Sequence, residues 1–121
     1  METMQKPDEG APPVVGKAYD FVLWLLPKVE NFPRTHRFTV GDRLTANGLD
    51  LLTSLVEAAY ASRKDELLQT ANRKVNSTRY LLRLAKDLRL MSIDSYGFSA
   101  EKLDEIGRMV GGWRKTQPGR A

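Results

Sequence analysis

Apolar residues recur at steps of three and four along most of the chain, which is the spacing of one face of an α-helix. Four segments carry this pattern, over residues 17–30, 39–62, 63–90 and 92–113. The alternation of apolar and polar residues that is typical of a half-buried strand is absent from the sequence. The pattern therefore predicts an all-α protein with four amphipathic helices.

The first predicted helix, from Lys17 to about Glu30, is apolar around most of its circumference. Its apolar residues at helical spacing are Tyr19, Val22, Leu23 and Leu26. Further apolar residues, which fill much of the remaining surface, are Phe21, Trp24 and Leu25. A helix of this kind is usually covered on more than one side. We expect Pro27 to kink or end it.

The second predicted helix begins at Thr39, because Thr39 and Asp42 have the spacing of a capping box. It runs to about Ser62, with the apolar stripe Leu44, Leu51, Leu52, Leu55, Val56 and Ala59. Asn47 and Gly48 could mark a turn. The unbroken helical spacing on both sides of them favours a helix that tolerates one glycine.

The third predicted helix has apolar positions at alternating steps of three and four, namely Leu68, Ala71, Val75, Thr78, Leu82 and Ala85. A second apolar line beside it consists of Leu81, Leu84 and Leu88. Ser92 is the expected cap of the fourth helix, and Gly111 with Gly112 the expected stop near Trp113. The fourth stripe is Leu103, Ile106, Val110 and Trp113.

Four amphipathic helices with short connections predict an antiparallel up-and-down four-helix bundle over residues 17–115. Residues 1–16 contain prolines and glycines without periodicity, so we expect a disordered N-terminal tail there. Residues 31–38 are predicted to be a loop, and residues 116–121 a frayed C-terminus. The extra apolar lines on the first and third helices favour a homo-oligomer; the alternative is that they thicken the core of a monomer.

Composition restricts where the protein works. The longest apolar run, residues 21–26, is far shorter than the roughly 20 residues that a membrane-spanning helix needs. The N-terminus lacks the basic and apolar stretches of a signal peptide. The chain has no cysteine, which fits a reducing compartment. We therefore expect a cytoplasmic protein that has no membrane partner.

Candidates for catalysis are few. His36 is the one histidine, and it lies between Arg34 and Arg37, whose charges disfavour the protonated imidazole. The acidic residues Glu101, Asp104 and Glu105 could hold a divalent ion, although a solvated first half of a helix explains them as well. No glycine-rich phosphate loop is present. The sequence predicts neither an enzyme nor a metal or cofactor site.

The third helix carries most of the basic charge. Residues 63–89 contain eight bases and three acids, within a chain whose formal net charge is +4. Arg79, Arg83 and Lys86 lie at i, i+4 and i+7, so they share one helical face, which continues through Asn76 and Asn72. Like charges at this spacing weaken a helix, which points to an anionic partner, either nucleic acid or an acidic protein surface. The alternative is a solvated face that neighbouring acids neutralise.

Three stretches of the sequence are similar to a known family: residues 19–27, the connection 32–38 with 41–43, and the ending 103–113. They resemble the four-helix-bundle family that joins the 23S rRNA intervening-sequence proteins and the accessory variability determinants (Avd) of diversity-generating retroelements. The resemblance covers residues 17–115.

This resemblance implies a basic bundle that assembles as a ring, typically a homopentamer, and that binds RNA or DNA and the reverse transcriptase of the element. Its function would be that of an accessory subunit in mutagenic retrohoming, without a catalytic site. The alternative within the same family is a protein-binding structural oligomer of the intervening-sequence type. The candidate contact residues are Arg79, Arg83, Lys86, Arg73, Lys74, Arg89, Arg34 and Arg37. The loop residues Arg34, His36 and Arg37 could equally cap helix carbonyls.

Overall fold

The computed structural model describes residues 10–118, and every regular element in that range is helical. Four long helices are present: α1 (Pro13–Glu30), α2 (Asp42–Tyr60), α3 (Asp65–Asp87) and α4 (Ile93–Lys115). Each helix packs against the next one along the chain, and α4 also contacts α1. The prediction of a four-helix bundle is confirmed for the described residues.

The core is a seam of side chains to which all four helices contribute. Leu25, Leu51, Leu82 and Leu103, one from each helix, are completely buried. The stripe predicted for α3 is confirmed in full, since all six of its residues are buried. Thr78, the polar member of that stripe, donates its hydroxyl hydrogen to the carbonyl oxygen of Lys74 over 2.6 Å, so its burial leaves no polar group unsatisfied.

The buried face of α1 differs from the predicted one. Tyr19 and Leu23 are 53% and 62% exposed, whereas the buried residues are Val14, Val15, Ala18, Phe21, Val22, Leu25 and Val29. A helix that is apolar on nearly all sides gives no signal for its rotation, so the pattern alone could not select this face. Val56 of α2 was also predicted to face inward, and that was wrong, because its exposed fraction is 37%.

Helix α1 begins four residues earlier than predicted, at Pro13. Proline is favoured in the first turn of a helix, where its missing N–H group costs nothing. The valines that follow, Val14 and Val15, are 2% and 6% exposed. Residues 13–16 therefore belong to the bundle and not to a tail. Of the remaining predicted tail, residues 10–12 are not helical, and residues 1–9 lie outside the described residues.

The predicted loop between α1 and α2 is helical over most of its length. A short helical turn (Arg34–His36) leads into a π-helical stretch (Arg37–Gly41); residues 31–41 are called the connector below. The predicted capping box is wrong, because Thr39 lies within the π-helical stretch and its hydroxyl donates to the carbonyl oxygen of His36 over 3.2 Å. Pro27 does not end α1, which continues to Glu30.

Two glycine predictions have different outcomes. Gly48 is buried inside α2, where a Cβ atom would lie 3.1 Å from Cδ2 of Leu25; the continuous helix is confirmed, and the glycine lets α1 and α2 approach closely. Gly111 and Gly112 were predicted to stop α4, yet the helix continues through them to Lys115. A glycine destabilises a helix interior by only about 1 kcal/mol, and packing can outweigh that cost.

The ends of α4 complete the bundle. Ser92 caps its N-terminus as predicted, because the Ser92 hydroxyl accepts a hydrogen bond from the Ser95 amide over 3.0 Å. Beyond its C-terminus, the amides of Thr116 and Gln117 still donate to the carbonyl oxygens of Trp113 and Arg114, so these two residues extend the ordered end; residues 119–121 lie outside the described residues. Within residues 10–118, no helix has the length and apolarity needed to cross a membrane.

Replacing Val14 and Val15 together by alanine should lower the free energy of unfolding by roughly 2–4 kcal/mol, because both side chains are buried in the core. Urea denaturation followed by circular dichroism measures the change. Asp20→Ala, at an exposed position of the same helix, is the matched control and should change stability little. Equal stability of the double variant and the control would show that residues 13–16 are dispensable, as a tail would be.

Candidate nucleic-acid interface

The basic residues of α3 point towards α2, towards α4, or away from both helices. Towards α2, the ammonium group of Lys74 lies 3.2 Å from a carboxylate oxygen of Asp50. Towards α4, the guanidinium group of Arg79 forms an ion pair with Asp104. The remaining bases of the helix, Arg73, Arg83 and Lys86, have no carboxylate partner on α2 or α4 among the described residues.

Arg79 lies across the surface of α4 at a glycine. A Cβ atom on Gly107 would come within 2.8 Å of Nη2 of Arg79, so any larger residue would make the end of this flexible side chain shift. Nε of Arg79 is buried and has no acceptor in the described part of the chain. Arg79, the first of the predicted contact residues, is therefore engaged mainly in holding α3 against α4.

Lys86 and Arg83 share one acid near the end of α3. The Lys86 ammonium lies 3.4 Å from Asp87 and 4.8 Å from the centre of the Tyr96 ring. Nε of Arg83 is 4.0 Å from the same carboxylate, and its side chain is 64% exposed. One carboxylate cannot neutralise two cations, so a positive charge remains at this end. Arg83 is the more accessible of the two.

Arg73 and Arg89 contribute charge at other places on α3. Arg73 is exposed and donates to the Thr70 hydroxyl over 3.1 Å, a contact that leaves its charge in place. Arg89 follows the last turn with a φ of 63°, the left-handed conformation that often closes a helix. Its amide donates to the carbonyl oxygen of Lys86, and the Leu90 amide to that of Ala85. Arg89 therefore lies just beyond the C-terminus of α3, sixteen residues from Arg73 along the chain.

The arginines of the connector have different environments. Nη1 of Arg37 donates to the carbonyl oxygen of Glu30 over 3.2 Å, and its guanidinium lies 5.2 Å from the centre of the Phe38 ring. This contact satisfies one of the unpaired carbonyl groups at the C-terminus of α1, so the capping alternative describes Arg37. Arg34 is exposed, and His36 is half-buried beside it. Arg34 is the connector residue that is available to a partner.

Tyr80 was missed by the sequence analysis. It is the one aromatic residue within α3, and its side chain is 71% exposed. A sequence signal was present, because Tyr80 lies outside the stripe of six buried positions and stands between basic residues. Tyr80 is therefore an exposed aromatic side chain on the helix that carries most of the basic charge.

Two of the three acidic residues that the sequence singled out on α4 are paired with bases. Asp104 pairs with Arg79, and a Glu105 oxygen lies 3.2 Å from the ammonium of Lys17 on α1. The described residues contain no group of three histidine, cysteine or acidic side chains placed to hold a metal ion. These carboxylates therefore act as ion-pair partners between helices.

The extra apolar side chains that the sequence indicated are divided between the core and the surface. On α1 the extra residues Phe21 and Leu25 are buried and Trp24 packs against the core. The exposed apolar residues are Tyr19 and Leu23 of the predicted α1 stripe, and Leu84 and Leu88 of the second line on α3, at 42% and 41% exposure. Leu81 is half-buried and packs against the core. The alternative in which these residues thicken the core of a monomer therefore describes Phe21, Trp24, Leu25 and Leu81.

A family model described as bAvd-like matches residues 14–117, which is nearly the whole described chain. The chain belongs to the bAvd-like family. No curated protein and no solved structure matches it. Membership confirms the resemblance to the Avd proteins that residues 19–27, the connector and the end of α4 indicated.

The bAvd-like family indicates an accessory protein of a diversity-generating retroelement, and it is not a known family of enzymes. Its match begins at Val14, one residue after the start of α1, and ends two residues beyond α4. The family therefore corresponds to the complete four-helix bundle, including the first turn of α1 that the sequence pattern did not predict.

Replacing Arg37 by methionine should lower the free energy of unfolding by about 1 kcal/mol, because the Glu30 carbonyl group loses its charged donor. Arg34→Met removes the same charge from an exposed position and should change stability by less than about 0.5 kcal/mol. Thermal denaturation of both variants measures the difference. A loss of nucleic-acid affinity by Arg37→Met, without a loss of stability, would contradict the capping role.

Proposed function

We propose that this protein is an accessory subunit of a diversity-generating retroelement that binds RNA or DNA together with the reverse transcriptase of the element during mutagenic retrohoming. The proposal rests on the family match over residues 14–117. It is supported by the exposed bases of α3, above all Arg73 and Arg83. The subunit would act in the cytoplasm, where it would organise its partners without a reaction of its own.

The exposed charge of one copy supports only weak binding. Between Glu66 and Asp87 the sequence of α3 contains no acidic residue, so phosphates that approach the middle of its outer side meet cations. At the C-terminal end Asp87 offsets part of the charge of Arg83 and Lys86. Lys74 and Arg79 are engaged with acids of α2 and α4. The few remaining cations neutralise a similar number of phosphates, and the affinity that results falls steeply with added salt.

A homo-oligomer would raise the overall affinity for nucleic acid above that of this weak contact. Several copies that present α3 around one assembly would bind one strand multivalently, which raises affinity by orders of magnitude without any new type of contact. The exposed apolar residues of α1, Tyr19 and Leu23, are the proposed subunit contacts. We propose a ring, and a pentamer in particular, because the resemblance to Avd proteins implies it.

One observation favours a second candidate function. The acids Asp50 and Asp104 already neutralise Lys74 and Arg79 within the chain, so part of the basic charge serves the bundle itself. A protein-binding structural oligomer of the intervening-sequence type makes no direct contact with nucleic acid. It would therefore need no basic residues beyond those that pair within the bundle. The two candidates differ in whether the remaining bases touch phosphate.

Arg83→Glu should weaken the binding of RNA and DNA severalfold, because it reverses an exposed charge on α3. Fluorescence anisotropy with labelled oligonucleotides at increasing salt measures both the affinity and its salt dependence, and the variant should have the shallower salt dependence. Arg108→Glu changes the net charge equally at an exposed position of α4 and should have the smaller effect.

The absence of nucleic-acid binding by the natural chain at low salt would contradict direct contact and support the protein-binding alternative. Equal losses for Arg83→Glu and Arg108→Glu would show that net charge alone matters, and would remove α3 as the contact surface. The reverse-transcriptase contact is tested separately, by co-purification of the two proteins with and without nuclease treatment.

Leu23→Glu should dissociate the proposed oligomer, because a charge would be placed in an apolar contact between copies. Light scattering should give a multiple of 13.7 kDa for the natural chain, five times that mass for a pentamer, and a smaller mass for the variant. Gln69→Glu, at an exposed position of α3, introduces the same charge and should leave the mass unchanged. A monomeric natural chain would contradict the proposal.

A further inference from the structure

One side of α3 combines basic, amide and aromatic side chains that point away from the bundle. Arg73, Asn76, Tyr80 and Arg83 are all exposed, and together they are called the outer face below. Lys74 and Arg79, which flank this face on either side, are directed to acids on α2 and α4. The outer face is therefore the part of the basic helix that is left for a partner.

The spacing of these residues places the aromatic ring between two cations. Arg73 and Tyr80 are seven residues apart, which is nearly two turns, so they lie within about 20° of one line and about 10 Å apart along the helix axis. Arg83 is one turn beyond Tyr80, about 4–5 Å further along the axis. A strand that follows the helix axis would pass one guanidinium group, then the ring, then the other.

This combination matches the chemistry of an unpaired nucleic-acid strand. Guanidinium groups bind phosphate oxygens, and an exposed aromatic ring accepts the face of a base by stacking. In a duplex the base faces are already stacked on one another, so a ring on a convex helix surface reaches only the backbone and groove edges. Tyr80 can therefore add affinity for a single strand and adds little for a duplex.

We propose that the outer face of α3 binds single-stranded RNA or DNA, with a base stacked on Tyr80 and the neighbouring phosphates held by Arg73 and Arg83. The proposal rests on the proposed function and specifies which form of nucleic acid this surface takes. It also explains why an aromatic side chain that is 71% exposed occurs in a stretch of α3 that contains bases and no acids.

Stacking on Tyr80 is tested by removing the ring while keeping an apolar, helix-forming side chain. Tyr80→Leu should weaken binding of an oligothymidylate or oligouridylate of about eight nucleotides by at least about fivefold. Binding of a hairpin duplex of equal charge should stay within twofold of the natural chain. Tyr80→Phe keeps the ring and should bind both probes as the natural chain does.

A second exposed tyrosine provides the matched control. Tyr60 is 75% exposed at the end of α2, and the residues one turn before it are Val56 and Glu57, so no base precedes it on its face. Tyr60→Leu should leave the affinity for single strands unchanged. Circular dichroism and light scattering of all variants verify that fold and mass are preserved, as expected for substitutions at exposed positions.

The outcomes separate this inference from the proposed function. If the natural chain binds nucleic acid but Tyr80→Leu weakens neither probe, or weakens both equally, the stacking site is wrong while nucleic-acid binding stands. If Tyr80→Leu lowers the mass in solution, the outer face contacts a second copy instead, which overturns the inference. If the natural chain binds neither probe at low salt, both proposals fail.

Discussion

Each helix buries one line of mainly apolar side chains in the shared core, and this burial is the constraint that determines the rest of the structure. Leu25, Leu51, Leu82 and Leu103 are completely enclosed, and losing one buried leucine side chain costs about 2–5 kcal/mol, whereas an exposed ion pair contributes about 0–1 kcal/mol. The core therefore sets the rotation of every helix, and the charged residues take the directions that remain. On α3 the buried positions Val75, Thr78 and Leu82 place Lys74 and Arg79 beside the neighbouring helices, and Tyr80 opposite the core.

Because core burial outweighs surface ion pairs, the core decides where each charged side chain points. The charge counted along α3 is therefore larger than the charge that the helix presents to a partner. Residues 63–89 carry eight bases and three acids, but Lys74 and Arg79 face acids on α2 and α4 because the core turns them there. Lys64 is also engaged, since its ammonium donates to the carbonyl oxygens of Ala58 and Ala61 at the end of α2. The charge that is free to meet a partner is concentrated on a narrower face than the sequence count indicates.

The sequence predicts an element well where its apolar pattern is one-sided. All six positions of the α3 stripe were correct, because polar residues occupy most of the other positions and the second apolar line is confined to the C-terminal part of the helix. On α1 apolar residues occur on nearly every side, so the pattern could not select the buried face, and a proline-containing start concealed the first turn. The pairing of Arg79 with Asp104 joins residues 25 apart in sequence. Such a pair depends on the register of α3 against α4, which neither helix encodes alone.

Gly107 indicates what that pair contributes. A glycine inside a helix costs about 1 kcal/mol relative to alanine, which is as much as an exposed ion pair returns. A Cβ atom at this position would come within 2.8 Å of Nη2 of Arg79, so the end of the arginine would have to shift from its place beside Asp104. The arrangement therefore adds little stability. Its effect is local, since Gly107 leaves space for the guanidinium group beside Asp104, in the direction that the buried positions of α3 set for Arg79.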